Sequence, residues 1–167
     1  MDDMRAHDWI RHHARRRPKK CAIVDYELGS ELTYGKMDRQ VDNFAAYLLR
    51  QHDILPGDRV ALLTQNCPEV FVLQAACARL RAIILPLNWR LAEPELSYML
   101  SDATPKLVFA DERFIEMARI ICGKQDNCTA VQIGADTEIE ALLCGDCLLY
   151  TSDAADDTPC VDLGGRR

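Results

Sequence analysis

The chain has 167 residues, of which 49% are apolar and 28% charged, with a formal net charge of −6. That length suits one domain with a moderate core, and the composition is globular rather than disordered. The acidic balance argues against a general nucleic-acid or anionic-membrane binder, and no apolar run approaches the roughly 20 residues that cross a bilayer.

Short β-type runs alternate with helical ones, which predicts an α/β fold. A first helix is expected over residues 4–16, with Trp9, Ile10, His13 and Ala14 on one face and Pro18 ending it. Residues 21–26 read as a strand and 27–31 as a turn around Gly29. Leu32-Thr33-Tyr34 leads into a second helix, in which Met37, Val41, Phe44, Ala45, Leu48 and Leu49 recur at helical spacing. Thr33 can cap that helix. Lys36 stands where a capping box needs an acid, so the reciprocal hydrogen bond is missing. Pro56-Gly57-Asp58 is a turn, and residues 59–63 are a buried strand. Pro68 and Glu69 open a helix that runs to Leu80, with proline in the first turn and an acid near the positive end of the dipole. Residues 83–87 read as a strand, 93–101 as a helix, 106–110 as a strand and 112–122 as a helix. A last strand and helix are expected over 129–133 and 137–143.

Eight cysteines invite a disulfide or zinc reading. The charged N-terminus has no apolar signal core, so the expected setting is cytoplasmic and the expected thiols are reduced. Cys67 and Cys77 fall where a helix should pack, and read as small apolar residues. Cys144-Gly145-Asp146-Cys147 has the spacing of a zinc or redox pair. No second CxxC follows, and His7, His12, His13 and His52 lie far upstream, so no metal site is expected. Those histidines read as surface or packed residues. Arg15-Arg16-Arg17-Pro18-Lys19-Lys20 has the composition of a nucleic-acid patch. It closes an amphipathic helix whose negative end suits cations, so a solvated face is expected. Trp9 is expected to pack the first helix, and Trp89 to sit at a strand end.

Several stretches, taken in order, resemble the acyl-CoA synthetases of the adenylate-forming superfamily. They are Leu32-Thr33-Tyr34, Pro56-Gly57-Asp58-Arg59-Val60-Ala61-Leu62, Asn66-Cys67-Pro68-Glu69 and the run from Leu80 to Leu91. Glu95-Leu96-Ser97-Tyr98-Met99-Leu100 and Pro105-Lys106-Leu107-Val108 also fit. Each is weak alone; their order and spacing over more than a hundred residues carry the match. Pro86-Leu87-Asn88-Trp89-Arg90-Leu91 resembles members that activate fatty or aromatic acids. The family carries Gly where Ile83 stands. A β-branched residue takes a left-handed backbone with difficulty, so the packing there is expected to differ.

The resemblance implies a two-step reaction. A carboxylate attacks the α-phosphate of ATP to give an acyl-adenylate and pyrophosphate, with magnesium assisting. The coenzyme A thiol then displaces AMP to give a thioester. ATP, Mg and coenzyme A are thus implied for the full-length parent, and none for this fragment. In the family, the phosphate loop with its Lys, the magnesium-binding acid, the ribose Asp and a late catalytic Lys all follow the segment seen here. The catalytic, cofactor-binding and metal-binding residues assigned within this chain are therefore none.

Leu149-Tyr150-Thr151-Ser152 resembles the start of that phosphate loop, which reads roughly Y-T-S-G-T-T-G-x-P-K. Asp153, Asp156 and Asp157 then stand where glycines should let the backbone approach a triphosphate, and three carboxylates repel it. No glycine lies between Tyr150 and Pro159, and Cys160 takes the place of the lysine. Residues 147–156 instead resemble the translation of a transposon-end sequencing adapter. Residues 160–167 resemble its far end in the same frame. The expectation is a partial AMP-binding-enzyme domain over 1–145 and a non-native or disordered tail over 146–167. A genuine polar tail is the alternative.

The combined reading is an incomplete N-terminal portion of the adenylate-forming enzyme fold, from a truncated acid–CoA ligase of fatty acid metabolism. The fragment is expected to be inactive, with apolar surface left uncovered. The parent's partners are a carboxylic acid, ATP and coenzyme A, with no nucleic acid and no transmembrane segment. Two rivals remain: a small non-catalytic α/β binding module, and a short partner of a full-length ligase.

Overall fold

The computed structural model describes residues 8–26, 29–134 and 137–144. Helix α1 (Trp9–Arg16) starts at Asp8, whose carboxylate accepts from the Arg11 N–H at 2.9 Å. Asp8 is therefore the cap rather than part of the helix, and residues 4–7 of the expected helix lie outside the described residues. Trp9 is 63% exposed and stacks on His13 instead of packing into a core, contrary to expectation. Only the flank of α1, through Ile10, leans on the main core.

Strands β1 (Cys21–Asp25) and β2 (Ser30–Thr33) form an antiparallel hairpin, with Gly29 at φ +62 in its turn. The sequence reading had a turn to Glu31 and then a helix entry, and so missed β2. A lone β1 would leave a row of unpaired backbone groups, and the returning chain is what satisfies them. Within Ser-Glu-Leu-Thr only Leu32 is buried, which is too little to display a strand period.

Helix α2 (Tyr34–His52) is capped by Thr33, whose Oγ1 accepts from the Lys36 N–H at 3.4 Å. Met37, Val41, Phe44, Ala45 and Leu48 are buried as the spacing predicts, and Tyr47 joins them. Leu49 does not: one residue past Leu48 it is turned off the buried face and is 44% exposed.

Strands β3 (Arg59–Leu63), β4 (Ile83–Pro86), β5 (Leu107–Ala110) and β6 (Thr129–Gln132) form a parallel sheet in the order β4-β3-β5-β6. Helices α3 (Pro68–Leu80), α4 (Glu93–Ala103) and α5 (Ile115–Cys122) make the crossovers, and α6 (Glu138–Cys144) follows β6. The chain runs from β3 outward to β4, then returns past β3 to β5. Crossovers of one hand require the helices to change face where the direction reverses. Accordingly Val60, Leu62, Leu107 and Phe109 pack with α2, α3 and α6, whereas Ala61, Leu63, Val108 and Ala110 pack with α4 and α5. The alternation along β3 and β5 is the two-residue period of a strand buried on both faces. Phe44 and Phe109 meet edge to face across the first layer, with centroids 5.4 Å apart.

Most expected elements fall in place, with shifted ends. Helix α4 runs two residues further than expected, α5 begins only at Ile115 because 112–114 form a turn, and α6 reaches Cys144. Among the described residues, three helices end in left-handed residues other than glycine: Asp53, Arg81 and Thr104. Ile83 lies in the extended edge strand and is 53% exposed, so the position that asks for glycine is Arg81, two residues earlier than expected.

The first three helices are tied together by one side chain. Arg79, with 10% of its side chain exposed, meets Asp8 at 2.8 Å, Asp42 at 2.6 Å and the Asp38 carboxylate. Arg11 adds a second contact to Asp42 at 2.6 Å.

Candidate functional site

In open α/β sheets, ligands sit beyond the carboxyl ends of the strands, where the chain reverses direction across the sheet. Here that switch point lies between β3 and β5. Thr64 and Gln65 leave β3 there, and Asp111 leaves β5. Thr64 Oγ1 donates to Asp111 Oδ2 at 2.7 Å, and the Gln65 N–H donates to the same oxygen at 3.2 Å. The Arg113 N–H donates to Asp111 Oδ1 at 2.9 Å, and Arg113 Nη1 donates to Gln65 Oε1 at 2.6 Å. Asp111 thus latches two loops together and has both oxygens engaged.

The rim continues at the end of β4. Asn88 Oδ1 accepts from the Arg90 N–H at 3.1 Å, and the Arg90 guanidinium lies 4.1 Å from the Trp89 ring centre. Trp89 in turn leans on Phe114, at 5.8 Å. Trp89 is at a strand end, as expected. The rim is therefore an aromatic and cationic wall beside a saturated carboxylate.

What the rim lacks is a phosphate cradle at α3, the first helix after the switch-point strand. Pro68 removes an N–H donor, Glu69 adds negative charge, and Cys67 makes no side-chain cap. Burial and the neighbouring Glu69 push the Cys67 thiol up to about 12, so it is no nucleophile near neutral pH. Burial alone does the same to Cys77, also to about 12, in keeping with its expected role as a small core residue.

Elsewhere the candidates are modest. An open cleft of about 190 Å³ lies between the hairpin, α2, α3 and α6, lined by Ile23, Leu32, Lys36, Glu69 and Leu143 among others. That is below the usual several hundred Å³ of a small-molecule pocket. Gln40 Nε2 closes its floor by donating to the Leu143 carbonyl at 3.0 Å. His12 and His13 belong to a ring cluster with Trp9, and His13 also meets Tyr34. His52 shares a 3.0 Å hydrogen bond with the Tyr47 hydroxyl. His7 and Cys147 lie outside the described residues, as does the whole of the expected tail. Residues 15–20 are exposed throughout. Among the described residues no group of three or more His, Cys, Asp or Glu is arranged to hold a metal, and no helix is long and apolar enough to cross a membrane. One pair escaped the sequence reading: Cys122 Sγ and Cys128 Sγ lie 3.0 Å apart. Their C-x5-C spacing, across a helix end and a strand start, matches no familiar thiol motif.

The profile of the AMP-binding enzyme family matches residues 10–159. The chain belongs to the AMP-binding enzyme family. The match runs past residue 145 and so takes in Tyr150-Thr151-Ser152, the stretch that resembles the opening of the phosphate loop. Indoleacetate–CoA ligase of Aromatoleum aromaticum is 38% identical over 112 residues, covering 67% of this chain and 21% of that protein. A long-chain-fatty-acid–CoA ligase of Mycobacterium tuberculosis is 34% identical over 158 residues, covering 93% of this chain and 29% of that protein. A solved fatty acyl-CoA synthetase from Mycobacterium tuberculosis superposes with a TM-score of 0.72 at 33% identity, covering 85% of this chain and 29% of that one. The chain thus spans less than a third of the length of each of these three proteins. Its mixed α/β layers are those of their N-terminal portion.

Proposed function

We propose that this chain is scaffold from an ATP-dependent acid–CoA ligase, and that the 167 residues do not turn over on their own. The reading rests on one observation: the family profile matches residues 10–159, yet among the described residues the start of α3 offers no phosphate cradle and Asp111 at the switch point has both oxygens engaged. A fatty or aromatic acid is the substrate class, because the named relatives act on indoleacetate and long-chain fatty acids. ATP and coenzyme A serve the parent, with magnesium as counter-ion, in a cytoplasmic setting. The stretch from residue 146 onward is read as adapter-derived, since its aspartates oppose triphosphate binding and both flanks follow one adapter frame.

Two measurements test this. Resequencing source DNA across the codons for Leu143 to Tyr150, without transposon adapters, should reveal a frame that departs near Asp146 and continues into a Gly-rich loop with Lys. ATP–pyrophosphate exchange over a panel of fatty and aryl acids should then be absent from the 167-residue chain and present in the extended one. Exchange by the short chain overturns the scaffold reading. Codons that encode 147–167 faithfully and then stop would favour a binding or partner role.

A further inference from the structure

Cys122 ends α5, and Cys128 immediately precedes β6. The chain between them is a tight return. The Gly123 N–H bonds back to Arg119 O at 2.9 Å, and Gln125 N–H to Cys122 O at 2.8 Å. Thr129 is then fixed to the sheet by Lys106 O at 3.0 Å. Both sulfurs are thus carried by anchored backbone, 3.0 Å apart. Their surroundings differ. Cys122 is buried, 4% exposed, among Ile115, Ala118 and Ile121, whereas Cys128 is half-buried at the edge of the same cluster. The hydrogen bond to Cys128, reinforced by burial, keeps the Cys122 thiol protonated. The same hydrogen bond, against the cost of burial, holds the Cys128 thiol below its ordinary range. The accessible sulfur is therefore the better nucleophile, and the sheltered one is placed to resolve what it forms.

We propose that Cys122 and Cys128 form a reversible dithiol–disulfide site whose co-reactant is a low-molecular-weight disulfide. The Cys128 thiolate attacks one sulfur of the small disulfide, forming a mixed disulfide and releasing one small thiolate. Cys122 then attacks the Cys128 sulfur. The intramolecular S–S bond forms, the mixed bond breaks, and the Cys122 proton passes to the second departing thiolate. Two electrons leave the cysteines and reduce one small disulfide to two thiols. The product pins the end of α5 to the start of edge strand β6.

The test uses the full chain in glutathione buffers of graded oxidised fraction, with free thiols trapped by alkylation. Trypsin cuts after Lys124, between the two cysteines, so the linkage joins two peptides, and fragmentation of the joined pair assigns the bond to Cys128 rather than Cys144, Cys147 or Cys160. The expected result is a Cys122–Cys128 link about tenfold more abundant than any other bond made by Cys122, formed at a lower oxidised fraction than in guanidinium, where sequence proximity alone still lets the pair close. Cys122→Ser should strand Cys128 as a glutathione mixed disulfide, and Cys128→Ser should leave Cys122 unmodified at the same ratio. A statistical mixture of pairs overturns the proposal. So does a link that needs the same oxidised fraction in buffer as in guanidinium, or glutathionylation of Cys122 in the Cys128→Ser chain as fast as that of Cys128 in its counterpart.

Discussion

Arg79 is where helices α1, α2 and α3 meet, and its partners come from Asp8, Asp38 and Asp42. Replacing it by Met leaves three carboxylates with only the more exposed Arg11 beside them, which should cost about 2–4 kcal/mol in a denaturant titration. Asp8 carries the pH signature of the same cluster. Burial raises its pKa, but the hydrogen bonds from Arg79 and the Arg11 N–H outweigh burial and leave it below the ordinary aspartate value. A lowered folded value means the stabilisation is complete above about pH 4 and is lost as pH falls through the folded value. Thermal melts at pH 5 and pH 3 should therefore differ more for the native chain than for Arg79→Met. Backbone strain gives a change of opposite sign. Arg81 holds φ +57 at the end of α3, so Arg81→Gly should raise stability by about 1 kcal/mol, read as a higher melting temperature. Neither site was legible in the sequence. The three acids of the cluster lie 37 to 71 residues from Arg79, and hydropathy spacing carries no information about charges that meet across helices. The need for glycine was recognised but placed at Ile83, because φ belongs to a helix end that sequence fixes only to within a residue or two.

At the scale of elements, strong periodicity was readable and weak periodicity was not. Helices α2 and α3 announce themselves through buried residues three and four apart and through a Thr or Cys-Pro start. Strand β2 contributes one buried side chain and was lost in a turn. Helix α5 was drawn too long because Glu112 and Arg113 look helical, while Asp111 draws the Arg113 N–H into a loop bond. Edge strand β4 leaves Ile83 53% exposed at its start. An apolar edge is a template for unwanted pairing, and a lysine there discourages it. Ile83→Lys should lower concentration-dependent light scattering without shifting the melting temperature by more than about 2 °C.

Over the whole molecule, the alternation of strands and helices announced an α/β layer structure, but not the order of its strands. The four sheet strands are short apolar runs of four or five residues, and nothing in them records which neighbour each will take. The switch-point latch of Thr64, Gln65, Asp111 and Arg113 was illegible for the same reason, since it exists only once β3 and β5 are adjacent. The domain boundary proposed at residue 145 makes its own prediction. Deleting 146–167 should leave the melting temperature within about 2 °C, because the proposed adapter origin makes that stretch foreign to the fold. A fall of ten degrees or more would show that the tail belongs to the fold. The strand order also sets a schedule during synthesis. Strand β3 is complete at Leu63, but its central partner β5 begins only at Leu107. At roughly 5–20 residues per second, the ribosome leaves that flank of β3 unmatched for about 2–9 s. For that interval the newborn chain shows Ala61 and Leu63, whose partners on α4 and α5 are not yet in place, to whatever is nearby, which makes β3 the stretch that a holding chaperone would grip first.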